Sequence, residues 1–166
     1  MSKKLLSTLL GITIAIFILT HPLFHKTIQS LGTFGYLGSF IAGLFYTSIF
    51  TSIPTSAVFL VLGDDTLNPF LLAIIGGTGA MLGDYILYKV FRSETDGLNK
   101  AYIFKSRLVK LAAVIVGIII IASPFPDEAG IVLIGITKLN LKKFLPISFA
   151  LNSAGIFILL TLGKIF

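Results

Sequence analysis

Hydrophobic and polar positions fall along this chain in long blocks, with no sustained strand-like alternation. An apolar run covers Leu5 to Thr20 behind Lys3 and Lys4. It ends at Thr20-His21-Pro22 without the small-residue site of a cleaved signal. It predicts an uncleaved first helix, followed by a polar connector from His21 to Ser30. A second apolar stretch runs from about Leu31 to Gly63, broken by Ser52-Ile53-Pro54-Thr55-Ser56. The turn Asp64-Asp65-Thr66-Leu67-Asn68-Pro69 then leads into a helix over Phe70 to Phe91 that contains one acid, Asp84. Arg92 to Arg107 is polar. Leu108 to Thr137 is apolar, broken at Ser123-Pro124-Phe125-Pro126-Asp127-Glu128. A basic turn, Lys138 to Lys143, precedes a last helix over Phe144 to Gly163.

The two broken stretches carry the architecture. As one straight helix, 30 residues would measure about 45 Å, well beyond the ~30 Å hydrocarbon core of a bilayer. Folded at its polar, Pro-containing break, each becomes two half-helices that reach mid-membrane and return to the side they left. Non-helical backbone is tolerated at that depth only inside protein or beside a wet cavity.

Composition supports a membrane setting. The chain has 166 residues, 55% of them hydrophobic and only 12% charged, with a mean hydropathy of +1.00. A soluble domain of this size has too little interior for that much apolar side chain. Disorder, collagen and coiled coil fail on the same numbers. The absence of cysteine excludes disulfides and thiolate metal sites. The net charge of +6 sits in connecting segments, where it sets topology and holds anionic headgroups. No nucleic-acid-binding motif accompanies it, so nucleic acid is not an expected partner.

The charges also discriminate between topologies. With both broken stretches re-entrant and the N-terminus cytoplasmic, Lys3, Lys4, Lys89, Arg92, Lys100, Lys105, Arg107, Lys110, Lys138, Lys142 and Lys143 lie inside. Only Lys26 and Lys164 lie outside, a ratio of 11 to 2. If both stretches cross fully, the ratio becomes 5 to 8. The positive-inside rule selects the re-entrant arrangement. A weak internal repeat agrees with it. At an offset of 72 residues Pro54 matches Pro126, Gly63 matches Gly135, Leu67-Asn68 matches Leu139-Asn140, Gly83 matches Gly155 and Ile86-Leu87 matches Ile158-Leu159. One copy enters from each side, which is the inverted plan of many transporters. The expected fold is therefore an all-α integral membrane protein. It has an N-terminal transmembrane helix and connector (1–30), a first hairpin-plus-span repeat (31–92), a basic cytoplasmic loop (93–107) and a second repeat (108–166).

The unit Gly83-Asp84-Tyr85-Ile86-Leu87-Tyr88-Lys89-Val90-Phe91-Arg92 resembles the G-D-x-x-x-Y-x-x-G-R motif of the DedA family, also called the SNARE-associated or VTT-domain family. The turn from Gly63 to Asn68 is similar to that family's G-x-x-x-x-N. Phe125-Pro126-Asp127-Glu128-Ala129-Gly130 followed by Asn152-Ser153-Ala154-Gly155 resembles its second segment in layout. The resemblance spans roughly residues 35–163. It implies two opposed re-entrant hairpins and a lipid transporter or scramblase in the plasma membrane, with protons as a coupling ion. The lipid would be a polyprenyl-phosphate carrier or a phospholipid. The chain departs from the pattern in three places. Phe91 replaces a glycine, the Pro54-Thr55-Ser56 tip lacks an acid, and Asp127 and Glu128 stand where many members carry arginine. The last departure favours another lipid, or a cationic solute, over a polyprenyl phosphate.

The candidate substrate- or ion-binding residues follow. Asp127 and Glu128 sit at an expected mid-membrane break, where a charge costs about 2.5–3.5 kcal/mol on insertion scales. As a pair they can hold or relay a proton; as first-turn carboxylates they can instead cap a half-helix. Asp84 and Asn152 would line or support the cavity, with Thr55 and Ser56 solvating a headgroup. The alternatives are an interfacial Asp84, an interhelical bond from Asn152, and hydroxyls of Thr55 and Ser56 bonded back to their own helix. Pro54, Pro124 and Pro126, with Gly63, Gly83, Gly130, Gly135 and Gly155, are read as the structural residues of the hairpins. Arg92 and Arg107 are read as headgroup contacts. His21 and His25 have the i,i+4 spacing of a metal pair but no third ligand, so no metal or cofactor is expected. No G-x-S-x-G or H-E-x-x-H motif occurs, and an enzyme is not expected. The alternatives to a lipid transporter are a small multidrug or cation exporter and a non-transporting membrane scaffold.

The charge count yields a direct test. Cysteines substituted at Asp65 and at Asn99 should react with an impermeant thiol reagent from opposite faces of the membrane, Asp65 outside and Asn99 inside. Labelling of both from one face would remove the re-entrant topology.

Overall fold

The computed structural model describes residues 3–30, 34–48, 50–63, 67–94, 106–121, 127–137 and 139–165, and among these all regular structure is α-helical. The helices are α1 (Lys3–Thr20), α2 (Pro22–Ser30), α3 (Phe34–Tyr46), α4 (Ser52–Gly63), α5 (Pro69–Glu94), α6 (Arg107–Ile121), α7 (Asp127–Ile136) and α8 (Leu141–Gly163). Two helical segments are long and apolar enough to cross a membrane, Pro69–Val90 and Leu141–Gly163. The apolar parts of α1, α3 and α4 are shorter.

Both long helices start on an asparagine. The side-chain Oδ1 of Asn68 accepts from the Phe70 N–H at 2.9 Å, and that of Asn140 accepts from the Lys142 N–H at 3.0 Å. Each satisfies one of the donors a helix start leaves free. Several expected boundaries move; the last helix, for one, starts at Leu141 and not at Phe144, and Asp127 and Glu128 fall in α7 and not in the second break. The segment expected as a polar connector is helix α2, because Pro22 at a first helical position has its φ already set and no N–H to leave unpaired. The first break lies at residues 47–51 and not at 52–56. There the Ser48 carbonyl accepts from the N–H groups of Thr51 and Ser52 at 3.0 and 2.8 Å. Pro54 is the third residue of α4, a position whose N–H has no partner within the helix, so its ring starts the helix instead of breaking it. Pro124 and Pro126 lie outside the described residues.

α3 and α4 form an antiparallel hairpin. Gly35, at the start of α3, lies against Leu62 at the far end of α4 and against Leu67 just before α5. α6 and α7 form a second one, with Gly117 against Gly130 and Ile134, and Gly130 against Ile121. At 1.5 Å per residue the arms measure roughly 20, 18, 22 and 15 Å, each short of a bilayer core. α5 and α8 are also antiparallel: Gly77 lies beside Ser153, and the Tyr88 ring stacks on Phe144 at 4.9 Å. The first hairpin opens at the amino end of α5, where Tyr36 Oη accepts from the Asn68 N–H. The second opens at the amino end of α8, where Arg107, Thr137 and Leu139 line one groove. That is the carboxyl end of α5, since the Tyr88 hydroxyl donates to the Leu139 carbonyl. The hairpins therefore open at opposite ends of the α5–α8 pair. α4 packs on α8, and α7 on α5.

These crossings are made by missing side chains. A Cβ at Gly43 would run into the Gly76 carbonyl, one at Gly79 into that of Phe40, and one at Gly83 would sit 2.8 Å from that of Leu44. The α4–α8 crossing is reciprocal: Gly63 faces the Leu160 carbonyl and Gly163 that of Leu60. Small residues let backbones approach this closely, the main device by which helices associate in lipid. Two buried clusters fill the rest. One is built around Phe59, Leu62, Leu72, Ile156 and Leu160, the other around Tyr88, Ile121, Ile131, Ile134 and Phe144. Outward, large apolar side chains such as Leu10, Phe17, Phe45, Ile86, Ile119 and Ile158 are exposed.

Two glycine substitutions separate packing from helix propensity. Gly79→Ala should lower unfolding free energy in detergent by about 1–3 kcal/mol, the usual cost of overpacking. Gly38→Ala, where an added Cβ meets nothing within 4 Å, should be neutral or stabilise by up to about 1 kcal/mol. Equal effects at both sites would contradict the α3–α5 contact.

Candidate functional site

Polar groups are few in the interior of this bundle, and three of them meet. Asp84 is fully buried on the face of α5 that meets α8, and Ser148 and Asn152 are buried one turn apart on the facing side of α8. Ser148 Oγ donates to Asp84 Oδ2 at 2.6 Å, and Asn152 Nδ2 donates to the same oxygen at 2.8 Å. Asn152 Nδ2 also lies 3.5 Å from Ser148 Oγ. Asp84 Oδ1 and Asn152 Oδ1 are both buried without a hydrogen-bond partner, as is Ser153 Oγ one residue further along α8.

The surroundings come from the motif around Asp84. Gly83 admits α3, so that Thr47, at the tip of the first hairpin, would lie 2.7 Å from a Cβ built there. The tip thus reaches the level of the carboxyl. Tyr88, one turn beyond Asp84, is fully buried; its hydroxyl donates to the Leu139 carbonyl and its ring stacks on Phe144. Ile121 and Ile131, from the two arms of the second hairpin, pack in the same cluster as Tyr88.

Both donors to Asp84 are neutral. A charged carboxylate keeps two hydrogen bonds on one oxygen. A protonated one gains an O–H donor in a cluster that already holds unpaired acceptors. Oxygens left unpaired away from water cost about 1–3 kcal/mol each. The arrangement can therefore accommodate a proton, or offer its free oxygens to a polar group that enters.

Of the residues singled out in the sequence, Asp84 and Asn152 are brought together. Ser148 was not singled out, although its i,i+4 spacing from Asn152 places both on one helix face. Thr55 and Ser56 lie on α4 and donate to the Thr51 and Ser52 carbonyls at 2.6 and 2.8 Å, within their own helix. Gly83, Gly130, Gly135 and Gly155 lie inside continuous helices, and Gly63 is the last residue of α4. Gly63, Gly83 and Gly130 act as close-approach points, because a small residue between two packed helices needs no unusual backbone to be useful. A Cβ at Gly155 would sit 3.6 Å from the Tyr46 hydroxyl. Asp127 and Glu128 are the first two residues of α7, Arg92 lies near the end of α5 and Arg107 is exposed at the start of α6. The side chains of Asp127, Glu128 and Arg92 lie outside the described part. The His21 ring packs on Phe17 at 4.7 Å. Among the described residues no group of three or more His, Cys, Asp or Glu side chains is placed to hold a metal. Family models, curated proteins and solved structures contain no match to this chain.

The cluster behaves as a unit in its expected energetics. Asn152→Leu should cost about 1–3 kcal/mol, because it strips a donor from a buried carboxyl. Adding Asp84→Leu to it should recover at least half of that loss, since no buried carboxylate then remains. A double-mutant cycle on unfolding in detergent measures the coupling; additive losses would mean that Asp84 and Asn152 do not interact.

Proposed function

We propose that this chain is a multi-pass plasma-membrane protein that moves a lipid across the bilayer, a transporter or scramblase of the DedA type. Its broken helix pairs are two inverted re-entrant hairpins, and its N-terminus is cytoplasmic. The observation that carries the reading is Asp84. It is a carboxyl with no exposed surface, set between two antiparallel helices of membrane-crossing length and bonded, among the described residues, by neutral donors. An ionisable group in such a place is costly, and it marks an ion or substrate path by default. The opposite openings of the two hairpins support the inverted plan. So do the matched caps Asn68 and Asn140, 72 residues apart. The wealth of exposed apolar side chains supports the membrane setting.

In this mechanism Asp84 takes up and releases a proton. Asn152 and Ser148 hold its carboxyl in place, and the two hairpins flank the path. Asp127 and Glu128 at the start of α7 serve as a second protonatable pair.

Purified protein in liposomes, assayed for fluorescent phospholipid movement from pH 5.5 to 8.5, tests the reading. The native chain should accelerate movement in a pH-dependent way. Asp84→Asn, which keeps a group of the same shape, should fold and lose at least about tenfold of that rate, a factor worth about 1.4 kcal/mol. Native flux and pH profile in Asp84→Asn would leave the scaffold reading in place. Flux of an organic cation without lipid movement would favour the exporter. Unchanged flux in Asp127→Asn with Glu128→Gln would return that pair to helix capping.

A further inference from the structure

A groove of about 450 Å³ lies where the second hairpin opens. Arg107 and Lys110, on the first turn of α6, stand at it with exposed side chains. Its wall is apolar along Leu111 and Val114 of α6, and it is closed by Thr137 and Leu139 from the turn between α7 and α8. No acid lines it. Arg107 stands at one end and Lys110 one turn along. The wall runs from Arg107 to Val114, roughly 10 Å along the helix at 1.5 Å per residue.

That pattern has the chemistry of an amphiphile with an anionic head. Arginine grips a phosphate through paired N–H groups, and a lysine one turn away adds a point charge. Such cations near a membrane surface favour anionic headgroups by about tenfold or less each. A small soluble anion would make no use of the Leu111–Val114 wall. An acyl chain would, at the ordinary gain for apolar surface removed from water. The Thr137 hydroxyl is occupied on the Ile134 carbonyl and makes no competing claim.

We propose that this groove is a docking site for an anionic phospholipid, with the phosphate between Arg107 and Lys110 and an acyl chain along Leu111 and Val114. The site is contiguous with the buried cluster. Leu139, which lines the groove, receives the Tyr88 hydroxyl on its carbonyl, and Tyr88 is one helical turn from Asp84. The proposal rests on the membrane placement given above and not on transport itself.

Native mass spectrometry of the full chain, released from detergent micelles holding equal phosphatidylglycerol and phosphatidylcholine, tests it. The native chain should retain phosphatidylglycerol about tenfold more often than phosphatidylcholine. Arg107→Gln with Lys110→Gln should bring the ratio to near one, with the thermal midpoint in phosphatidylcholine alone unchanged, since both side chains are exposed. Leu111→Asp should lower total lipid retention. A native ratio near one overturns the proposal, as does a double variant that keeps the preference. Displacement of the lipid by glycerol 3-phosphate as effectively as by phosphatidylglycerol would show a small-anion site instead. Equal loss in Lys142→Gln with Lys143→Gln, two exposed lysines on the first turn of α8, would assign the effect to general surface charge and overturn the groove. Phospholipid flux through Asp84→Asn is a separate measurement, so failure of either reading leaves the other decidable.

Discussion

The pair of hydrogen bonds from Ser148 and Asn152 onto Asp84 is the constraint that orders this molecule. A carboxyl without water must find its partners in protein, and here both come from one face of one helix. That fixes the register of α5 against α8 to within a turn, because a slide by one residue rotates the donors off the acceptor. Apolar contacts alone would tolerate such a slide at little cost, since Leu, Ile and Val side chains substitute for one another in a packed interface. The polar pair supplies specificity, and the packing supplies adhesion.

Around that register, backbone proximity does the rest. α5 presents Gly76, Gly79 and Gly83 to α3 while the adjoining face carries Asp84 and Tyr88 toward α8. One helix thus serves as the central plank, smooth on one side and chemically specific on the other. Several hydroxyls along the helices are kept from needing partners elsewhere by local bonding. Thr13, Thr20, Thr55, Ser56 and Thr78 all donate to a carbonyl four residues earlier. Ser39 is different: its hydroxyl crosses to the Leu72 carbonyl and ties α3 to the start of α5.

Much of this was legible in the sequence where one residue's chemistry acts locally. An asparagine caps within two residues of itself, so Asn68, in the expected turn, falls at a helix start, whereas Asn140 reads as part of a basic turn, with the helix expected only from Phe144. The long apolar runs announce α5 and α8 because length and composition suffice. Pro54 misled for an equally local reason. Proline is read as a breaker, yet its effect depends on whether it falls in the first turn, and a shift of five residues in the boundary reverses its meaning. The bond between Ser148 and Asp84 links residues 64 apart, and no local pattern marks Ser148 among the serines of the chain. What was available was the spacing of Ser148 and Asn152 on a helix otherwise apolar on that face. Asp84 stood out because a lone acid in an apolar helix has to be answered somewhere, although the sequence did not say by which residue.

The antiparallel setting of α5 and α8 has an electrical consequence. Each long helix carries a macrodipole equivalent to about half a charge at either end. Laid side by side in opposite directions, the two cancel, and the capping asparagines shield the positive end of each. A bundle built this way, placed across a polarised membrane, feels almost no torque from the voltage through its backbone. Its orientation is then left to its lysines and arginines, which lie mostly in the end turns of its helices, and any voltage sensitivity of the folded protein must come from a charge that moves or a proton that binds within it.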